Sequence, residues 1–208
     1  MALPRPPRPY ADAPRLPDGE TVEARTLVAG EWLELEIGPG RGVFVFERAE
    51  AAQAAGLVGL EVRRKWATIV DQRLAKVGLG SRARIFAEDA RLALPRLRPD
   101  SSFRRVFFHF PDPWWKKRHA KRLVVKGGVV AEIARLLEQG GELFVQTDVE
   151  ERAALYEAEI GACPLLAPFG DVEGSAHLRE NPYSAQSPRE KRAIVDGLPI
   201  YRLRFKRV

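Results

Sequence analysis

Short apolar segments alternate with helix-like segments from Trp32 onward, and this alternation constrains the fold more than any other feature of the chain. Residues 32–37 (WLELEI) have the apolar content of a buried strand, and the helix-like stretch 43–55 follows after a glycine-rich turn. The same order continues through a central strand at 105–110 to another strand at 142–147. Strands and helices at this spacing predict βαβ units. The sequence therefore predicts an α/β fold with a parallel sheet covered by helices on both faces.

Carboxylates stand at the ends of the predicted strands. In open parallel sheets the ligand lies across the carboxyl ends of the strands. Acidic residues at that edge are therefore candidates for a functional site. The sequence places these acidic residues at or just after a strand end: Glu36, Glu61, Asp89, Asp112 and Asp148.

A glycine-rich turn joins the first predicted strand to the first predicted helix. Gly38, Gly40 and Gly42 form a G-x-G-x-G pattern, and glycines there accept positive φ angles and let a ligand approach the backbone closely. Glu61 ends the next predicted strand, where nucleotide-cofactor sites place an acidic residue that binds the ribose hydroxyls. An ordinary tight turn and a surface glutamate are the alternative interpretations.

Two classes of cofactor fit this pattern. Dinucleotide sites use G-x-G-x-x-G, with a pyrophosphate at the helix N-terminus. Here the third glycine comes one residue early, and Glu36 precedes the turn. A carboxylate in that place would repel a pyrophosphate but suits the ammonium or sulfonium group of S-adenosylmethionine. Asp89 could accept a hydrogen bond from the adenine amino group. The pattern therefore favours S-adenosylmethionine.

The segment from Phe108 to Arg122, FHFPDPWWKKRHAKR, is the most informative part of the sequence. Its aspartate, Asp112, lies between two prolines, and two tryptophans and a basic cluster follow. A rigid carboxylate, a stacking surface and phosphate-binding charge suit the capture of a purine from an RNA backbone. A solvated basic loop after a buried strand is the alternative interpretation.

The composition is consistent with a polyanionic partner. Lys and Arg outnumber Asp and Glu by 34 to 28, which gives a formal charge of +6 and a sequence pI of about 9.7. The single cysteine, Cys163, cannot form an internal disulfide, and no Cys/His cluster has zinc-site spacing, so we expect no metal. We find neither a secretory signal nor a membrane span, and we expect a cytoplasmic protein without membrane contact.

Residues 1–20 differ from the rest of the chain. They include six prolines and several arginines, a composition that disfavours helices and central strands. We expect an extended N-terminal arm, followed by a single domain at 21–208. Whether this arm is a loosely packed terminus or a contact for RNA phosphates stays open at this point.

Together these segments resemble the bacterial tRNA (guanine-N7)-methyltransferase family, whose hallmark is F-P-D-P-W followed by K-x-R-H-x-K-R. The resemblance extends from Trp32 to Lys206. LEIGPGRG resembles the glycine loop of the family, GLEVRRKW its second strand and AEDA its adenine-side turn. FPDPWWKKRHAKR resembles its acceptor loop, QTDVEE its fifth-strand end and SPREKRAIVDGLPIYRLRFKR its C-terminal element.

The resemblance implies a fold and an activity. The fold would be Rossmann-like, of the class I methyltransferase type: a mostly parallel seven-stranded sheet with helices on both faces and an antiparallel C-terminal strand. The activity would be methyl transfer from S-adenosylmethionine to N7 of guanine 46 in the tRNA variable loop. The family permits a monomer or a homodimer. The rival hypotheses are another RNA or DNA base methyltransferase of the same fold and a non-catalytic RNA-binding module.

The resemblance also implies roles for individual residues. Asp112 would be catalytic and would lie near the methyl donor. The other donor-binding residues would be Glu36, Gly38, Gly40, Gly42, Glu61 and Asp89. The expected RNA contacts are Lys116, Asp148, Ser187, Pro188, Arg189 and Glu190, with Lys117, Arg118 and Arg122 on phosphates. Three positions depart from the family pattern: Arg189 and Val149 replace aromatic residues, and Leu123 replaces an arginine.

Overall fold

A computed structural model describes residues 9–111 and 125–208 of the chain. The strands within these ranges are β1 (Val22–Glu23), β2 (Trp32–Ile37), β3 (Ala55–Leu60), β4 (Ala83–Phe86), β5 (Leu97–Arg98), β6 (Phe103–His109), β7 (Leu137–Thr147), β8 (Leu166–Pro168), β9 (His177–Leu178) and β10 (Tyr201–Arg207). The α-helices are α1 (Val43–Ala51), α2 (Arg64–Lys76), α3 (Ala90–Ala93), α4 (Gly127–Leu136), α5 (Glu150–Gly161) and α6 (Pro188–Val195).

The main sheet has the strand order β4-β3-β2-β6-β7-β10-β8. The first five strands are mutually parallel, and β10 runs antiparallel to both of its neighbours. The short β9 also pairs with β10 and adds an eighth strand, while β1 and β5 form a separate parallel pair. The predicted α/β fold, with a mostly parallel sheet and an antiparallel C-terminal strand, is confirmed.

The helices cover both faces of the sheet because each presents an apolar stripe. On α2, the side chains of Ala67, Val70 and Leu74 recur at helical spacing and are buried. Together with α1 they pack on one face, against β3 and β4. Helices α3, α4 and α5 contribute to the larger core cluster on the other face. Within the described ranges, every helix falls short of the length and apolar content that a bilayer span requires.

Local sequence explains where the element boundaries differ from the prediction. The predicted first helix at 43–55 ends at Ala51, because the chain turns at Ala52 to begin β3 at Ala55. The helix expected from Ala90 is short and continues as a 3-10 turn that contains Pro95, which has no N–H to donate. Strand β7 begins at Leu137 and is therefore longer at its start than the strand predicted at 142–147.

Part of the proline-rich segment packs on the domain. Ala13 and Leu16 are buried, and the Ala87 N–H donates to the carbonyl of Pro14 at 2.6 Å. Arg96 reaches back to the carbonyls of Pro17 and Gly19. Residues 14–16 therefore lie against the end of β4, and Pro17 and Gly19 contact the 3-10 turn that contains Pro95.

Candidate functional site

A cavity of about 440 Å³ opens at the carboxyl ends of the parallel strands. It lies where theory places the ligand of an open parallel sheet, and its volume is within the usual range of small-molecule sites. Within residues 9–111 and 125–208, its lining comes from five parts of the chain: Ile37–Gly38, Leu60–Arg63, Glu88–Arg91, Phe108–Pro111 and Tyr156. Gly38, Glu61 and Asp89, which are far apart in sequence, therefore meet at one site, whereas Gly40 and Gly42 are not part of the described lining.

The glycine loop has the conformation that its sequence requires. Gly38, Gly40 and Gly42 have φ angles of 76°, 56° and 76°, a region that other residues rarely adopt. A Cβ atom on Gly42 would lie 2.3 Å from Val70 Cγ1, so this glycine lets α1 and α2 pack closely. A Cβ atom on Gly38 would have no atom of the described residues within 4 Å, apart from those of its two chain neighbours. The backbone there is accessible to a ligand.

Glu61 joins the glycine loop to the end of β3. Its buried carboxylate accepts hydrogen bonds from the Gly40 N–H at 2.9 Å and from the Arg63 N–H at 2.8 Å. The Arg63 guanidinium also donates to it, with Nε at 3.0 Å, although that side chain is 61% exposed. The two backbone donors fix an anionic acceptor at the cavity wall.

The turn after β4 supplies two more carboxylates. Asp89 caps α3 by accepting from the Arg91 N–H at 3.0 Å. The Arg91 side chain bonds to the same carboxyl and holds the pKa of Asp89 below its ordinary value, although partial burial opposes this. The neighbouring Glu88 is buried and accepts from Arg15 Nε at 2.8 Å. Sequence reasoning did not identify Glu88 or its link to the N-terminal segment.

Glu36 is buried beside the cavity and does not line it in the described part of the chain. Its Oε1 atom lies 2.9 Å from Nδ1 of His109, and His109 does line the cavity. Sequence reasoning did not single out His109. The available signal was its position at the end of the central strand, immediately before the F-P-D-P-W segment.

A second group of predicted residues meets at the end of β7. Arg189 Nε donates to Asp148 at 2.8 Å, which joins α6 to the chain that follows β7. Ser187 caps α6 by accepting from the Glu190 N–H at 3.2 Å, and Pro188 occupies the first turn. The carboxylate of Glu190 is fully buried and accepts from Asn181 and Arg202. These bonds give Glu190 a structural role, and its RNA contact stays a prediction.

Helix α1 holds the segment that leads into α6. Arg48 Nη1 donates to the carbonyl of Tyr183 at 2.8 Å, and the Gln186 N–H donates to Glu47 at 2.8 Å. Lys191 forms an ion pair with the same Glu47 carboxylate. The helix that begins at the glycine loop therefore also anchors the C-terminal segment, a connection that the sequence did not reveal.

Part of the predicted acceptor site lies outside the described residues, namely Asp112, Lys116, Lys117, Arg118 and Arg122. The residues just before that segment, Phe110 and Pro111, line the cavity. Phe110 has a φ angle of 49°, uncommon for a bulky side chain. The chain thus leaves the sheet at the cavity wall in a strained turn.

Comparisons of the sequence with known proteins agree on one chemistry. A family model described as "Putative methyltransferase" matches residues 31–203. The chain is 39% identical over 186 residues to a tRNA (guanine-N(7)-)-methyltransferase of Anaeromyxobacter dehalogenans, covering 88% of this chain and 89% of the relative. A protein of the same name from Myxococcus xanthus is 34% identical over 173 residues, covering 83% of this chain and 82% of the relative.

Solved structures support the fold. The aminoglycoside resistance methyltransferase NpmB1 matches with a TM-score of 0.51 and 20% identity, covering 88% of this chain and 90% of the other. Geranyl diphosphate C-methyltransferase from Streptomyces coelicolor, whose structure contains S-adenosyl-L-homocysteine, matches with a TM-score of 0.56 and 14% identity, covering 87% and 74%. At these identities the likeness establishes a shared methyltransferase fold.

Proposed function

The chain belongs to the tRNA (guanine-N7)-methyltransferase family, and from this membership we propose that it transfers a methyl group from S-adenosylmethionine to N7 of guanine 46 in the tRNA variable loop. The structural observation that supports the proposal most directly is the meeting of Gly38, Glu61 and Asp89 around one cavity. These are the groups that a nucleoside with a cationic amino-acid tail requires. Their spacing in the sequence predicts the same ligand.

The carboxylates in and next to the cavity are hydrogen-bond acceptors that fit S-adenosylmethionine. Glu61 would accept from the ribose hydroxyls, with its backbone bonds to Gly40 and Arg63 retained and the Arg63 guanidinium displaced. Asp89, kept ionised by Arg91, would accept from the adenine amino group. Glu36 Oε2 has no hydrogen-bond partner in the described ranges and would accept from the ammonium group. When bound, S-adenosylmethionine supplies an electrophilic methyl group on a sulfonium sulfur.

The acceptor chemistry needs no general base. N7 of guanine has an exposed lone pair and carries no proton, so the protein has only to align the guanine and to stabilise the positive charge that develops on the ring. We assign this to Asp112, whose carboxylate can accept from the guanine N1 and amino edge. The expected contacts to the rest of the tRNA are Lys116, Asp148, Ser187, Pro188, Arg189 and Glu190, with Lys117, Arg118 and Arg122 on phosphates.

We extend the proposal to the organisation of the protein. The arm at 1–20 would precede a single methyltransferase domain at 21–208, with Ala13 and Leu16 joining the arm to the domain core. The enzyme would act in the cytoplasm, where its tRNA substrate is found.

Methylation of unmodified tRNA tests the proposal. We expect 7-methylguanosine in the nucleoside mass spectrum, mapped to guanine 46 by borohydride reduction and aniline cleavage. A methyl group on an exocyclic amine would identify a different base methyltransferase of the same fold. Binding of the donor and of tRNA without any transfer would indicate a non-catalytic RNA-binding protein. Either result contradicts the proposal.

Substitution of Asp112 tests its catalytic assignment. We expect Asp112→Ala to lower the single-turnover rate by about 100-fold or more, because the developing cation loses its preorganised counter-charge, while the thermal unfolding midpoint is unchanged. Asp100→Ala is the matched control, since this exposed aspartate precedes β6 at the opposite edge of the sheet. A near-normal rate for Asp112→Ala removes this residue from the mechanism.

A further inference from the structure

Buried polar side chains lie near the carboxyl ends of three adjacent strands: Glu36 on β2, His109 on β6 and Gln146 on β7. Of these three, His109 lines the cavity. Within residues 9–111 and 125–208, Glu36 Oε2, His109 Nε2 and both polar atoms of Gln146 have no hydrogen-bond partner. Buried polar atoms in folded proteins almost always have partners, so a cluster of such atoms beside a cavity indicates a place where a polar ligand completes the bonding.

His109 is held rigidly in this cluster. Its side chain is only 2% exposed, and its ring centroid lies 4.0 Å from that of Phe44. The ring of Phe107 is nearly parallel to it, with a centroid separation of 5.7 Å and an angle of 15°. With its ring packed in this way, His109 directs Nδ1 at Glu36.

The bond to Glu36 defines the chemistry of the pair. His109 Nδ1 lies 2.9 Å from Glu36 Oε1, and in the tautomer that carries its proton on Nδ1 the ring donates to this oxygen. This bond fixes the rotation of the carboxylate and leaves Oε2 to accept from another group. Ile37 and Gly38, which directly follow Glu36, line the cavity.

We propose that His109 is a positioning residue for the amino-acid end of the methyl donor, and that it acts by orienting Glu36 so that Oε2 accepts from the ammonium group. The inference rests on the proposed function, because it takes S-adenosylmethionine as the ligand. It assigns to His109 a role that an apolar residue of similar size could not perform. A histidine that only filled space among Phe44, Phe107 and Phe144 would need no bond to a carboxylate.

Two ligands that differ only at the amino-acid end test the proposal. S-adenosylhomocysteine carries that end, whereas 5′-methylthioadenosine lacks it and keeps the adenine and ribose. Calorimetric titration of each ligand is made with wild-type protein, His109→Leu and His109→Asn. The asparagine amide can donate from about the position of Nδ1, whereas leucine removes the donor. His177→Leu is the matched control, because this exposed histidine pairs with Glu157 away from the cavity.

We expect His109→Leu to bind S-adenosylhomocysteine about tenfold or more weakly than wild type, because a hydrogen bond to a charged group is lost. Binding of 5′-methylthioadenosine should stay within about twofold, and His109→Asn should recover most of the lost affinity. Unchanged affinity for S-adenosylhomocysteine in His109→Leu overturns the inference, as does an equal loss for both ligands, which indicates general damage. An asparagine variant as weak as the leucine variant also overturns it.

The same titrations separate this inference from the proposed function. Wild-type protein that binds neither ligand contradicts the proposed function, and the inference falls with it. Wild-type protein that binds both ligands, with an undiminished preference for S-adenosylhomocysteine in His109→Leu, contradicts the inference alone.

Discussion

Glu61 accepts hydrogen bonds from two backbone N–H groups and from one exposed guanidinium, and a bound ribose would compete with the guanidinium. The backbone N–H groups of Gly40 and Arg63 bind it from within the fold, while the exposed Arg63 guanidinium binds it from the solvent side. Exposed ion pairs contribute at most about 1 kcal/mol. A ribose that donates two hydroxyl groups to Glu61 can therefore replace the guanidinium at small cost.

Arg63→Ala tests this competition. We expect the affinity for S-adenosylhomocysteine to rise by up to about fivefold, because the exposed pair no longer has to be broken. Glu61→Ala should lower the same affinity by about tenfold or more, and both values come from calorimetric titration. A tenfold loss of affinity in Arg63→Ala would mean that the guanidinium contacts the ligand instead of competing with it.

At the scale of single residues, sequence predicted those parts of the site that a strand end defines. Gly38, Glu61 and Asp89 lie at or after the ends of strands that the sequence predicts from their apolar residues. Their meeting at the carboxyl ends of the sheet could therefore be inferred. His109 could not be identified in this way. Its contact with Glu36 depends on the register of β2 against β6, in which Glu36 pairs with Phe107. The register between two strands cannot be read from the sequence alone.

Helix α1 connects the two halves of the proposed site. Its N-terminus follows Gly42 of the glycine loop, and one turn later Glu47 and Arg48 hold the segment that leads into α6. A helix is stiff over this distance. The position of the proposed RNA contacts on α6 is therefore tied to the position of the glycine loop.

Glu47→Ala tests this connection. We expect the KM for tRNA to rise about threefold to tenfold, because Gln186 and Lys191 lose their common acceptor, while the KM for the methyl donor is unchanged. Glu47→Gln keeps an acceptor and should stay near wild type. Glu50→Ala, an exposed site on the same helix, is the control. Equal increases in both KM values would indicate a general disturbance of α1.

Among the elements, sequence predicted the order and type of the strands and helices but not all their bounds. The alternation of apolar strands with amphipathic helices identified β2, β3 and β6 and the helices between them. The strand predicted at 142–147 is shorter than β7 because a pair of glycines such as Gly140 and Gly141 usually indicates a turn. Here β7 continues through both glycines, with Gly140 at a φ angle of 77°.

A buried ionic network joins four elements across one face of the sheet. Glu34 accepts from Arg48 Nε and Nη2, each at 2.7 Å, and from Arg105 Nη1 at 2.9 Å. Arg105 also donates to Glu142, which accepts from the hydroxyl of Tyr183. Burial alone would raise the pKa of Glu34, but the hydrogen bonds and charges of the two arginines outweigh it and hold that pKa below its ordinary value of 4.5.

The lowered pKa of Glu34 makes the fold sensitive to acid. The folded state releases this proton more readily than the unfolded chain, so the stabilisation is complete above the ordinary pKa of 4.5 and is lost as pH falls through the lower folded value. We expect Glu34→Gln to lower the free energy of unfolding by about 3 kcal/mol or more near neutral pH. In acid, the free energy of unfolding of this variant should fall less steeply with pH than that of the wild type, as measured by urea unfolding.

Glu31→Gln, at an exposed position just before the same strand, is the control for this prediction and should keep the wild-type pH profile. If the free energies of unfolding of wild type and Glu34→Gln fall in parallel as pH is lowered, the acid sensitivity lies elsewhere in the molecule.

The packing of residues 14–16 against the end of β4 has a consequence for how the chain folds. Arg15 and its partner Glu88 are 73 positions apart, so this stretch is synthesised well before the strand that it rests on. Leu16 belongs to the apolar core that the sheet builds with α3, α4 and α5, and the prolines on either side of it disfavour a helix before that core has formed. The Glu88–Asp89 side of the cavity is therefore completed only when the two ends of this long loop come together.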